Sequence, residues 1–183
     1  PTTTATPTQT SVPGTPTSTA TQTPSPTATQ TRTATPTATP TTPVFSLKVN
    51  AGGGDYLDWQ ADQLYTVGSW GHVGGATYSS VHAIAATPDQ PLYQTERWWS
   101  GTGGYKFTVP NGTYSVLFKF AEIYPFTTQG YRVFTVKVEG VPRIVALDVY
   151  ALAPGPYKAY DVMVWGSSVS DGGMDIDFTP IVG

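Results

Sequence analysis

The chain has 183 residues, with nine Lys and Arg against twelve Asp and Glu, and no cysteine. Zero cysteines exclude disulfides, thiolate zinc sites and cysteine nucleophiles. There is no basic run to suit nucleic acid, and no apolar run that approaches the roughly 18 residues of a membrane-spanning helix.

Composition divides the chain. Residues 1–43 are almost entirely Thr, Pro, Ala, Ser and Gln, with no aromatic residue and one charge, Arg32. Such a segment cannot bury enough apolar surface to offset its ordering entropy. It is expected to be an arm rather than a domain. Residues 44–183 have the composition of one compact, mildly acidic globular domain. The chain opens at Pro1 with neither Met nor a signal peptide, and is expected to be a mature or excised piece of something longer.

In the arm, Thr falls on every second position from Thr15 to Thr23 and again from Thr27 to Thr41. That is the period of an extended strand, not of polyproline II. Pro at 7, 13, 16, 24, 26, 36, 40 and 43 removes amide donors and blocks a central strand. Thr-rich sequence with Pro is the composition of an O-glycosylated stalk. The candidate acceptors are Thr27, Thr29, Thr31, Thr33, Thr35, Thr37, Thr39 and Thr41. The plainer reading is a semi-stiff spacer, and the other an arm that packs on a neighbouring subunit.

The domain reads as short strands separated by turn residues. Phe45–Asn50 ends in the run Gly52-Gly53-Gly54, and Leu92–Trp99 follows. Gly104–Val109 leads into Pro110-Asn111-Gly112, where Asn-Gly predicts a hairpin. In Thr113–Ala121, Tyr114, Val116, Phe118 and Phe120 share one face, and in Tyr131–Glu139, Phe134, Val136 and Val138 do so. Gly140 turns into Ile144–Val149, and Lys158–Trp165 and Met174–Phe178 complete the set. No stretch has a helical period. The predicted architecture is all-β: an antiparallel, jelly-roll-like sandwich preceded by the extended arm.

Several motifs, in order and at similar spacing, are similar to the malectin family. They are Val49-Asn50-Ala51-Gly52-Gly53, Leu92-Tyr93-Gln94-Thr95-Glu96-Arg97 followed by an aromatic, and Phe118-Lys119-Phe120-Ala121-Glu122-Ile123-Tyr124. Arg132-Val133-Phe134, Val138-Glu139-Gly140, Leu147-Asp148-Val149 and Ala159-Tyr160-Asp161 continue the match. The resemblance implies a malectin-type sandwich, a lectin without catalytic activity, that takes glucose-containing disaccharides or larger glucans. It implies a site of aromatic loops at one end of the sandwich plus an acid. Carried over, the aromatics are Tyr78, Trp98 (a Tyr in the family) and Tyr124. Pro125 stands where the family has Phe, and Phe126 is the expected substitute; the acid is Asp171. Asn50, Gly53 and Glu96 read as supporting positions.

The same residue types suit a sugar on physical grounds. Rings cover the apolar C–H face of a pyranose, and carboxylates accept from its hydroxyl rim. Core packing is the competing role for each ring, and of the adjacent Trp98 and Trp99 one is expected to face the core. The glycine run lacks the Lys-Ser/Thr of a phosphate loop and reads as close backbone approach. Asp55, Asp58 and Asp62 leave a structural calcium as an option, against the plainer reading of solvated loop acids. Glu96 and Glu122 could be imagined as a glycosidase pair, but both fall at family positions that read as structural, with Arg97 or Arg132 the expected partner of Glu96. With His72 and His82 in Gly-rich sequence and no nucleophile elbow, no enzyme and no cofactor is expected.

The sequence therefore predicts a non-catalytic carbohydrate-binding domain of a secreted, bacterial, extracellular or cell-surface protein. The alternative is a structural subunit of a glycosylated filament or surface layer, self-associating through the arm.

Overall fold

The computed structural model describes residues 45–182. The arm, its candidate glycosylation positions and its expected self-association lie outside the described residues. In chain order the strands are β1 (Val49–Asn50), β2 (Gln60–Ala61), β3 (Trp70–Val73), β4 (Ala76–Ser79) and β5 (Thr95–Trp98). There follow β6 (Gly103–Thr108), β7 (Gly112–Phe120), β8 (Val133–Val138) and β9 (Val141–Leu147). A single helical turn, α1 (Val149–Leu152), precedes β10 (Tyr160–Val169) and β11 (Gly173–Val182).

Period-two alternation does most of the building. A five-stranded antiparallel sheet runs in the order β3-β6-β11-β8-β9, and β7 pairs with β10 in a second, facing layer. Phe118 and Val164 from the second layer meet Val136, Val138, Met174 and Ile176 from the first in one buried cluster. Alternate residues share a face of a strand, so the apolar half of each strand lands in this core. A smaller cluster of Ile84, Leu92, Tyr93 and Ile123 lies under the loops.

The expected hairpin at Pro110-Asn111-Gly112 is not one. β6 belongs to the five-stranded sheet and β7 to the other layer, so this segment crosses between sheets. Asn111 serves the crossing with its side chain: Nδ2 donates to the Ser170 carbonyl at 2.9 Å, and Oδ1 accepts from the Gly172 amide at 2.8 Å. The two-residue hairpin turn is Glu139-Gly140, both at positive φ (55° and 69°), joining β8 to β9. This is the geometry that matches the twist of paired strands.

Three further differences are local. The expected strand Leu92–Trp99 starts only at Thr95, because Leu92 and Tyr93 belong to a 3₁₀ turn, Gln90–Tyr93, with Pro91 near its start. Asp148 caps α1 by accepting from the Ala151 amide at 3.0 Å, which ends the β9 region in a helical turn. β3 and β4 were not expected; they are short and joined through Gly74 and Gly75, both at positive φ.

Motifs distant in sequence meet in space. Lys119 donates to the Tyr93 hydroxyl and to Asp161, each at 2.8 Å, and the Tyr93 hydroxyl donates to Asp161 at 2.6 Å. This ties the 3₁₀ turn to both strands of the smaller sheet. Arg97 pairs with Asp62, and the Tyr105 hydroxyl donates to the same carboxylate at 2.9 Å. Burial pushes the Asp62 carboxyl up, but hydrogen bonds from Arg97, the Gly52 amide and Tyr105 outweigh it and hold the group below its ordinary value.

Candidate functional site

β4 and β5 form an antiparallel pair in which Tyr78 lies opposite Glu96 and Ala76 opposite Trp98. Cross-strand partners share a face, and so do residues two apart. Tyr78, Glu96 and Trp98 therefore project from one face of this ribbon, and Ala76 leaves room beside the indole. The other face carries Arg97 to its buried partner Asp62.

The segment after β7 completes the site. Tyr124 meets Tyr78 edge-on, ring centroids 5.7 Å apart, and meets Phe126 edge-on at 5.5 Å. Edge-to-face contact suits the quadrupoles of the rings and holds the row in place. Phe126 is 75% exposed and Trp98 44% exposed, so both present apolar surface to solvent. Trp99 is the inward partner: it stacks on Phe178 at 5.6 Å and donates to the Val73 carbonyl. Pro125 separates Tyr124 from Phe126, so that Tyr124 faces both aromatic neighbours.

Beneath the rings lies a charged floor. Arg132 faces Glu96 at 3.4 Å and Glu122 at 3.3 Å, and its guanidinium sits 5.0 Å from the Tyr124 ring centroid. Glu122 is 5% exposed and also accepts from the Tyr124 amide at 2.9 Å, which fixes the start of the aromatic loop. Two carboxylates share one guanidinium. Burial, opposed by Arg132 and reinforced by Glu122, pushes the Glu96 carboxyl up to about 7.

Asn50 and Gly53 act at one remove. Asn50 is buried, donates to the Gly54 carbonyl at 2.8 Å and accepts from the Thr95 hydroxyl at 3.3 Å. A Cβ at Gly53 would strike the Asn50 side chain and the Thr95 hydroxyl, and one at Gly52 the Glu96 carbonyl. The glycine run is therefore a close approach of this loop to β5 at the base of the site.

Asp171 is not brought to these residues. It lies in the β10–β11 loop, accepts from the Gly173 amide and lines a separate hollow of about 430 Å³ with Lys106, Thr108 and Asp175. Gly173 pairs with Thr108 at one end of β6, whereas Trp99 lies by Gly103 at the other. Five residue steps of strand separate the two ends, about 17 Å. The residues that sequence reasoning left out of the site are Arg132 and Glu122. Of the two expected partners of Glu96, Arg132 is the one it meets, since Arg97 is taken by Asp62; nothing in the sequence adds Glu122 to the pair.

The three candidate calcium ligands have other partners. Asp58 pairs with Lys48, Asp62 with Arg97, and Asp55 accepts from the Ala61 amide at 2.7 Å. Among the described residues no group of three or more His, Cys, Asp or Glu side chains converges to hold a metal ion.

Tyr78, Trp98 and Tyr124, with Glu96, Glu122 and Arg132, line part of a groove of about 1080 Å³. Fold and site together define an all-β sandwich domain with a concave aromatic site over paired carboxylates. The chain belongs to the malectin family: the malectin domain matches residues 45–182. It is 35% identical to malectin of Danio rerio over 120 residues, 63% of this chain and 41% of that protein, so it spans about two fifths of that relative's length. Among solved structures it resembles a calcium-binding mutant of Bacteroides uniformis β-glucuronidase 2, with a TM-score of 0.66 and 28% identity over 75% of this chain and 16% of that one. It shares its fold with the ANXUR2 extracellular domain of Arabidopsis thaliana, with a TM-score of 0.59 and 18% identity over 74% of this chain and 43% of that one. Among the described residues no helix is long and apolar enough to cross a membrane.

Proposed function

We propose that the domain binds carbohydrate, glucose-containing oligosaccharides or glucans, in the cleft between Tyr78, Trp98, Tyr124 and Phe126, and that it catalyses no reaction. One observation carries this reading: the exposed rings of Trp98 and Phe126 belong to one aromatic cluster with Tyr78 and Tyr124, and the Tyr124 ring lies 5.0 Å from the Arg132 guanidinium, which pairs with Glu96. That pairing complements a pyranose, which has an apolar face and a rim of hydroxyls. Glu96 and Arg132 supply the acceptor and donor that Asp171, at the far end, cannot. In this reading the protein is secreted and acts outside the cell or at its surface, which the stalk-like composition of residues 1–43 supports, and is bacterial, which the likeness to part of a Bacteroides uniformis protein supports.

Titration of short glucans into the protein, followed by tryptophan fluorescence and calorimetry, tests this. Binding of such an open site is expected in the micromolar to millimolar range. Trp98→Ala and Tyr124→Ala should each weaken it about tenfold, and Asp171→Ala should leave it unchanged. Unchanged affinity in the double ring variant refutes the site.

A second reading rests on the strict alternation of Thr from Thr27 to Thr41. In it the arm carries O-linked sugars, and the chain is a subunit of a filament or surface layer. Intact mass of natively produced protein checks the sugars: hexose increments that map to residues 1–43 support the reading, and a single mass equal to the bare chain refutes it.

A further inference from the structure

Among the described residues the smaller sheet of the sandwich is open at one edge, and a groove lies beside that edge. β7 pairs with β10 on one side only, over its full nine residues. Its inward side chains Tyr114, Val116 and Phe120 are only partly buried although they pack on the core. The groove that begins under the aromatic site continues between the layers, where it is lined by Phe107, Phe118, Met174, Ile176 and Phe178. A close-packed interior leaves few voids larger than a water molecule, so a gap of this size between sheets is a place for another element.

The far wall of the gap is the segment Phe45–Lys48, which lines the same groove. It runs in the same direction as β7. Phe45 touches Tyr114 edge-on at 6.2 Å, and the ammonium groups of Lys48 and Lys119 flank Trp59 at 5.8 and 5.9 Å. No backbone hydrogen bond joins the two segments among the described residues. Side chains bridge where backbones do not, and among the described residues β7 has no strand partner on this side. A strand antiparallel to both completes the pairing. An unpaired sheet edge of this kind is a template for strand addition from another chain.

We propose that this slot takes an extended segment of the Thr/Pro arm of a second copy, residues 27–35. The inference rests on the second reading above and gives it a site. Three features select the segment. It is the longest stretch of the arm without proline, so every residue retains an amide donor. It has nine residues, as β7 has. Its alternation has the period of a strand, with Thr, a β-branched strand former, on one face. With the Thr face turned inward, Gln30 and Arg32 stay in water, where burial costs them nothing. Pro36, Pro40 and Pro43 stiffen the connection to the domain and favour exchange between copies over a tight return. A contact of this kind joins unlike surfaces, head to tail, and propagates an open filament. Threonines held in the slot are closed to modification, which leaves Thr37, Thr39 and Thr41 as the sugar-bearing positions next to it.

The test uses the full chain, produced without glycosylation. Sedimentation velocity should show assembly that grows with concentration, accompanied by slowed amide exchange in Tyr114–Phe120. The double variant Thr29→Pro, Thr33→Pro removes two strand donors outside the domain. It should remain monomeric, with β7 exchanging freely and the thermal melt of the domain unchanged. Three results overturn the proposal. One is a chain that stays monomeric with β7 unprotected at every concentration. Another is assembly undiminished in the proline variant. The third is protection of β7 in a monomer, which places a strand of the same molecule in the slot. Failure here leaves the hexose-mass test of the stalk unaffected, because assembly and modification are read separately.

Discussion

Replacing Glu96 with Gln should alter how stability depends on pH, in a direction the site dictates. The folded-state carboxyl is pushed up to about 7 from an ordinary 4.5, because burial, with the Glu122 carboxylate nearby, outweighs the stabilising Arg132 guanidinium. The folded protein therefore holds this proton more tightly than the unfolded chain. Its contribution to stability is fully present below pH 4.5 and is lost as pH rises through about 7. The rise of about 2.5 corresponds to about 3 kcal/mol at ~1.4 kcal/mol per pH unit, and to roughly 2 kcal/mol once partial exposure is allowed for. Gln keeps the shape and cannot ionise. Urea unfolding followed by Trp fluorescence, at intervals from pH 5 to 8, measures the difference between the two proteins. The variant should match or fall slightly below the parent at pH 5 and exceed it by about 2 kcal/mol at pH 8. A difference that stays constant across this range refutes the argument that Glu96 is desolvated.

Two other substitutions probe the frame that carries the site. Gly52→Ala places a methyl against the Glu96 carbonyl at a backbone angle of +72°, and should cost about 3 kcal/mol in urea unfolding while weakening sugar binding. Asp62→Ala strands the buried Arg97 guanidinium, and a melt should show about 3–5 kcal/mol lost, whereas Lys48→Ala, which breaks an exposed pair, should leave the melt nearly unchanged.

The fold was legible where the chain alternates strongly. Tyr114 to Phe120 and Val133 to Val138 announce two strands and their inward faces, and both are found. β3 and β4 were not legible, because four-residue strands joined by glycines carry too few alternations to stand out from a loop. The Asn-Gly signal misled for a different reason. Asn111 is a turn residue of the right type, but its side chain is spent on Ser170 and Gly172 across the sandwich, a contact made by residues 59 and 61 positions away. Local turn chemistry cannot report such a partner. The aromatic members of the site could be placed from motifs, since each motif sits on its own strand end. Asp171 could not, because its role depended on which end of β6 its loop would reach. The floor of the site is a three-body contact between Glu96, Glu122 and Arg132, from three separate segments, and only the packed layers bring it about. The edge of β7, open among the described residues, has no sequence signal either: the strand itself looks like any core strand, and its place in the sheet is a property of the assembled layers.

The central claim is that one end of the sandwich, the end with Trp98 and Tyr124, is a carbohydrate site. The most direct measurement is a chemical-shift map of the protein during titration with a short glucan, with the Trp indole and Tyr and Phe ring protons assigned. The account predicts saturable shifts at Trp98, Tyr78, Tyr124 and Phe126, with the Asp171 loop silent. Saturable shifts at the Asp171 loop instead, or none at the aromatic end at millimolar glucan, would contradict it.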